Sequence, residues 1–225
     1  MGANLSDHPA LAVVCRVRDP ALVDFDQPLI QTILRYTAPG SELRNDLQIE
    51  QLSFSGRRNA EPRFAIAAVL EYQHGRGELR LASADPHAAP VIENRFCEDP
   101  RDVARLTACL RDTLAFARSA PLADMIDEIV FPDLRRVASD EDIAELCRRY
   151  SGSGYHPCGT ARMGPAGDPG AVVDQYGCCH GVDALVVADA SIMPAVPRAN
   201  TNLSCIMIGE RVGEWLRTEP ARYGL

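Results

Sequence analysis

The chain has 225 residues, 46% of them hydrophobic and 24% charged, with a formal net charge of −8. That length suffices for one large or two small domains, and the composition is that of an ordinary globular protein. The acidic balance argues against nucleic acid or an anionic membrane surface as partner, since either favours a basic face. In chain order, Leu11 to Val17 is a short β-branched run and predicts a strand. Pro28 to Tyr36 reads as weakly helical. Leu47 to Phe54 alternates as a strand, and Phe64 to Gln73 is apolar and β-prone. A Gly-rich break, His74-Gly75-Arg76-Gly77, separates it from Glu78 to Ser83, a pattern that predicts a hairpin. Asp99-Pro100 opens a helix with an N-cap and a proline in its first turn. Val103, Leu106, Leu110, Leu114 and Ala117 then recur at helical spacing and make one buried face. Ser139 with Asp142 resembles a capping box before a second helix carrying Ile143, Leu146 and Cys147.

After Tyr150 the chain becomes rich in Gly and Pro, and strand-like pieces follow at Val172-Val173 and Leu185 to Ala188. A last helix is expected from Thr201 to Arg217, with Cys205, Ile208, Val212 and Trp215 inward. Strands and helices do not alternate regularly, so the expected fold class is α+β around an antiparallel sheet flanked by helices. No run of about 18 apolar residues predicts a membrane span, and MGANLSDHPA lacks the pattern of a secretory signal. The eight cysteines form no C-x-x-C pair. They read as reduced, buried side chains of a cytoplasmic protein, and no metal site is expected. The vicinal Cys178-Cys179 has no resolving partner visible in the sequence.

Two segments point to chemistry. His156 precedes a proline, which keeps its backbone extended, and an imidazole there can project into a cavity as an acid or base. The competing reading is a histidine bonded to backbone at a strand end. Asp189-Ala190-Ser191 is placed at the end of a strand, and Asn200-Thr201-Asn202 opens the last helix. Capping explains the latter. The same free N–H groups would also attract negative charge.

Together these segments resemble the C-terminal region of the glucose–methanol–choline (GMC) oxidoreductases. The order is His156-Pro157 with Gly159-Thr160, Met163-Gly164, Val173-Asp174, His180-Gly181-Val182, Asp189-Ala190-Ser191 and Asn200-Thr201-Asn202. Gly75 to Phe96 and the opening Asn4-Leu5-Ser6-Asp7-His8-Pro9 agree as well, so the resemblance covers nearly the whole chain. It implies an FAD-dependent alcohol oxidoreductase, in which His156 takes the alcohol proton while hydride passes to flavin N5. Asn200 is implied as its partner, hydrogen-bonding the developing alkoxide. Asp189, Ala190, Thr201 and Asn202 fall on segments implied to line the flavin. Cys158 and Ala161 stand where the family usually has Val and Cys, both small packing changes. His180 reads as structural, and His74 and His87 as surface loop residues. Asp7 and His8 lie in a segment that relatives place near the flavin.

The implied fold is the GMC substrate-binding domain plus C-terminal pieces of an FAD-binding α/β domain. Residues 1–9 are expected to belong to the FAD domain and 10–153 to the substrate-binding domain. Residues 154–217 are expected to carry the catalytic histidine and the end of the FAD domain, and 218–225 to form a tail. No G-x-G-x-x-G follows a strand, so the phosphate-binding turn of a dinucleotide fold is missing. The expected partners are a small alcohol and a separate N-terminal FAD-binding polypeptide. The alternatives are an inactive fragment and a domain reused for binding small molecules.

Overall fold

The computed structural model describes all residues, 1–225. Its regular elements are β1 (Ala3–Leu5), β2 (Pro9–Val17), β3 (Ile30–Tyr36), β4 (Leu47–Leu52), β5 (Arg63–Leu70), β6 (Gly77–Arg80) and β7 (Val91–Glu93). They continue with α1 (Pro100–Ala117), α2 (Leu122–Met125), β8 (Ile126–Phe131), α3 (Asp140–Tyr150), β9 (Gly152–Ser153) and α4 (Asn202–Thr218). The chain divides into two compact units. A sheet unit comprises Pro9–His74 and Phe96–Gly154. A terminal unit comprises Met1–His8, Gly75–Arg95 and Tyr155–Leu225.

In the sheet unit the strand order is β3-β4-β5-β2-β8, with β9 paired to β2, and every pairing is antiparallel. Strand β2 buries alternate residues, Leu11, Val13, Cys15 and Val17, as a period of two requires. Leu11, Val13 and Cys15 stand opposite Ala68, Ile66 and Phe64 of β5 in register. The predicted apolar stripe of α1, together with Ile143 and Cys147 of α3, joins these strand residues in one core. Asp99 caps α1 at the backbone N–H of Arg101, and Ser139 with Asp142 closes a full capping box on α3.

The core also holds ions. Arg105 on α1 is bonded to Asp46 at 3.1 Å and Asp102 at 2.7 Å, and donates to the Tyr72 carbonyl at 2.8 Å. Both carboxylates are fully buried. A buried guanidinium is tolerable only with such complete pairing.

Three expectations about secondary structure need correction. Pro28 to Tyr36 is not helical, because Ile30–Tyr36 is the edge strand β3. Six of its seven residues are exposed, so no period-two alternation marks it in the sequence. The hairpin across His74–Gly77 does not form either. Strand β5 pairs with β2 and β4, whereas β6 pairs with β1 and β7. Val172-Val173 and Leu185 to Ala188 are not strands but meet their neighbours in isolated bridges, such as Val173 with Cys179 and Cys178 with Val186. Gly75–Arg95 lies within the expected span 10–153 but groups with the chain ends.

The terminal unit contains the small sheet β1-β6-β7 and a second core of Cys158, Val173, Ile192, Met193, Val196 and Ile208. Helix α4 contributes Ile208 and Val212 as its buried residues, while Cys205 and Trp215 are half-buried. Most of this unit is irregular chain, held by bonds between segments far apart in sequence.

Candidate active site

The site lies in the terminal unit, on the segment 155–163. Ser6 and Cys158 exchange backbone hydrogen bonds on one side of that segment. On the other, the N–H groups of Gly159, Ala161 and Met163 donate to the carbonyls of Ala190, Ser191 and Ile192. Asn4 ties three segments together: its amide donates to the carbonyls of Gly159 and Pro194, and its Oδ1 accepts from Arg76. Gly159 must be glycine, because its φ is +89° and a Cβ would lie 2.6 Å from the Asn4 carbonyl oxygen. Tyr155, one residue before the histidine, also has a positive φ of 66°. A non-glycine residue pays for that conformation in strain, and such strain collects at functional positions.

His156 is half-buried. Its backbone N–H donates to Asp7 Oδ1 at 2.9 Å, and the same oxygen accepts the backbone N–H of His8 at 2.6 Å. Its ring is engaged at both nitrogens. Nδ1 lies 3.0 Å from Nδ1 of His8, and Nε2 lies 3.4 Å from Nδ2 of Asn200. The two imidazoles meet edge to face, with centroids 4.8 Å apart and planes at 63°. His8 Nε2 in turn lies 2.9 Å from the Pro197 carbonyl oxygen. Burial pushes the His156 pKa below its ordinary 6.5, and the nearby Asp7 carboxylate opposes that shift. That direction favours the neutral imidazole, the state a general base needs. Burial also pushes the Cys158 thiol up to about 12, so it is inert packing and no nucleophile.

The structure thus brings His156 and Asn200 together across 44 residues. Thr201 is the N-cap of α4 but makes no side-chain capping bond. With the Asn200 side chain turned to His156, the first-turn N–H groups of α4 have no side-chain cap and remain able to receive an anionic group. Asn202, the first residue of the helix, is exposed. Asp189 is exposed too and caps the short 3₁₀ turn Ala190–Ile192 through the Ser191 N–H. Ala190 sits beside the histidine segment through its carbonyl. His180 bonds the Gly164 carbonyl at 3.0 Å, consistent with a structural role. Asp7, His8 and the Pro197 carbonyl were not singled out by residue chemistry. The signal that could have found Asp7 and His8 was the Asn-Leu-x-Asp-His segment, whose Asn, Asp and His all bond to the histidine segment.

A family model described as GMC oxidoreductase matches residues 73–209, more than half of the chain. The chain belongs to the GMC oxidoreductase family. Over 153 residues it is 40% identical to an uncharacterised GMC-type oxidoreductase of Mycobacterium tuberculosis, covering 67% of this chain and 28% of that protein. Over 187 residues it is 35% identical to an oxygen-dependent choline dehydrogenase of Sinorhizobium medicae, covering 79% of this chain and 33% of that protein. The GMC chain thus spans about a third or less of the length of these curated relatives. A solved structure of Aspergillus oryzae formate oxidase, described for modification of its FAD, superposes with a TM-score of 0.82 at 19% identity. It covers 99% of this chain and 48% of that one. That likeness shows the α+β fold, an antiparallel sheet flanked by helices.

Proposed function

We propose that this chain is the substrate-side and catalytic part of an FAD-dependent oxidoreductase acting on CH–OH donors. The observation that carries this reading is the convergence of His156 Nε2 and the Asn200 amide nitrogen, 3.4 Å apart. A hydroxyl presented there meets a base and a hydrogen-bond donor at once. His156 Nε2 takes the hydroxyl proton, and the Asn200 Nδ2–H stabilises the negative charge left on oxygen. When bound, FAD supplies the acceptor for the hydride leaving the carbinol carbon. The uncapped N-terminus of α4, with Thr201 and Asn202, suits the electron-rich edge of an isoalloxazine ring, and Asp189 and Ala190 are assigned to the same wall.

The adenosine and pyrophosphate are assigned to further polypeptide, as a separate N-terminal FAD-binding chain. Two observations support this: the greater length of the relatives, of which the matched segments cover only 28% and 33%, and an exposed apolar face on α4. That face carries Leu203 at 78%, Ile206 at 54% and Met207 at 58% exposure, a patch suited to a covering surface. The eight free cysteines suit a reducing compartment, and the cytoplasm is the assigned location. No helix is long and apolar enough to cross a membrane.

The test is the visible spectrum of the chain co-purified with a GMC flavin-binding portion, before and after anaerobic addition of a panel of alcohols. The expected result is flavin absorbance that an alcohol bleaches. In His156→Gln the flavin should be retained, and its reduction should slow by roughly 10²–10⁴-fold. A flavin-loaded complex that no alcohol bleaches overturns the reading.

A further inference from the structure

The contacts around His156 determine where its proton sits. The Pro197 carbonyl oxygen can only accept, so His8 Nε2 at 2.9 Å must be a donor and carry a hydrogen. His8 is fully buried, at 0% exposure, and burial disfavours an imidazolium. A neutral imidazole with its hydrogen on Nε2 has a lone pair on Nδ1. That lone pair lies 3.0 Å from His156 Nδ1, so the hydrogen between the rings belongs to His156. A neutral His156 with hydrogen on Nδ1 presents its lone pair at Nε2, the nitrogen facing Asn200. The amide orientation agrees, since Asn200 turns its Nδ2 donor towards this nitrogen. Asp7 Oδ1 sets the spacing by holding the backbone N–H groups of both histidines.

We infer that His8 is a positioning residue that locks His156 in the tautomer with hydrogen on Nδ1, so that Nε2 carries the lone pair that takes the substrate's proton. The inference rests on the reading of His156 as the base. In the reaction the substrate O–H bond breaks, an N–H bond forms at His156 Nε2, and the electron pair stays on the alcohol oxygen. No proton moves on to His8. The new imidazolium keeps its Nδ1–H directed at the His8 lone pair, which stabilises the charge as an acceptor stabilises the histidine of a catalytic triad. Free histidine favours the opposite tautomer, with hydrogen on Nε2, which would point a donor where the base must act.

The test is a long-range ¹H–¹⁵N correlation spectrum of the uniformly labelled 225-residue chain at about pH 8, above the ordinary histidine pKa of ~6.5. Single substitutions assign the rings of its five histidines. The expected spectrum shows His156 with its hydrogen on Nδ1 and His8 with its hydrogen on Nε2. His8→Leu should move His156 towards the Nε2–H form. His8→Gln should hold it, because the Gln amide can accept from His156 and donate to Pro197. With flavin and substrate present, His8→Leu should slow reduction at least about tenfold with little change in KM, and His8→Gln should recover most of the loss. A wild-type His156 in the Nε2–H form overturns the inference whatever the activity. A wild-type Nδ1–H form in a protein that no alcohol reduces overturns the catalytic reading instead and leaves the tautomer lock standing.

Discussion

The sheet unit and the terminal unit are stabilised in different ways. In the sheet unit, order comes from repetition: alternating residues on β2 and a stripe on α1 close a single core. In the terminal unit, segments 149 to 190 residues apart are stitched by individual polar contacts, such as Asn4 to Gly159 and Pro194, Asp7 to His156 and His8 to Pro197. A core built by repetition tolerates small changes distributed along it. A site built from single contacts fails at single atoms, and that same construction allows two imidazoles and an amide to be aimed at one point.

Substitutions can break this contrast at its strongest place first. Arg105→Leu leaves Asp46 and Asp102 buried without their shared cation, and it should destabilise the sheet unit by about 3–5 kcal/mol in urea unfolding. Second comes Glu71, fully buried in the sheet unit, whose carboxyl is pushed up from 4.5 to about 7 by desolvation. Arg35 opposes that shift and Glu50 adds to it. The folded pKa is the higher one, so this contribution to stability is full below pH 4.5 and disappears as pH rises through about 7. Glu71→Gln should flatten the stability profile over that window, by at most ~3 kcal/mol. His156 acts in the opposite sense: its folded pKa lies below 6.5, so its contribution is lost as pH falls below that value.

The terminal unit should respond to a smaller change. Gly159→Ala forces a Cβ against the Asn4 carbonyl at a positive φ, at a cost of roughly 1–3 kcal/mol. Amide shifts should then concentrate in residues 2–8, 155–163 and 190–194, and shifts spread evenly along β2 and α1 would contradict the contrast. The smallest expected effect is Ser139→Ala, which removes the α3 capping box and should cost about 1 kcal/mol, read as a lowered thermal midpoint.

The legibility of the two units follows the same division. The face of α1, the cap at Asp99, the capping box at Ser139 and the inward residues of α4 could be read because each depends on residues within one or two turns. The edge strand β3 was misread because neither of its faces is buried, so burial imprints no period on Ile30–Tyr36. The false hairpin arose because two strand-like runs around glycines suggest mutual pairing, yet each run found partners elsewhere. In the candidate site, family motifs singled out His156 and Asn200. His8 remained of uncertain role, since a histidine 148 residues away carries no local sign of the ring it will meet.

By itself, the sequence determined the α+β class, the capped starts of α1 and α3 and the family, because those depend on short-range periodicity, caps and ordered motifs. Only the tertiary structure decided the strand partners, the return of Gly75–Arg95 to the chain ends and the orientation of the His156 ring. These are properties of contacts between distant segments, and hydrogen-bond direction exists only once donor and acceptor are within about 3 Å of each other.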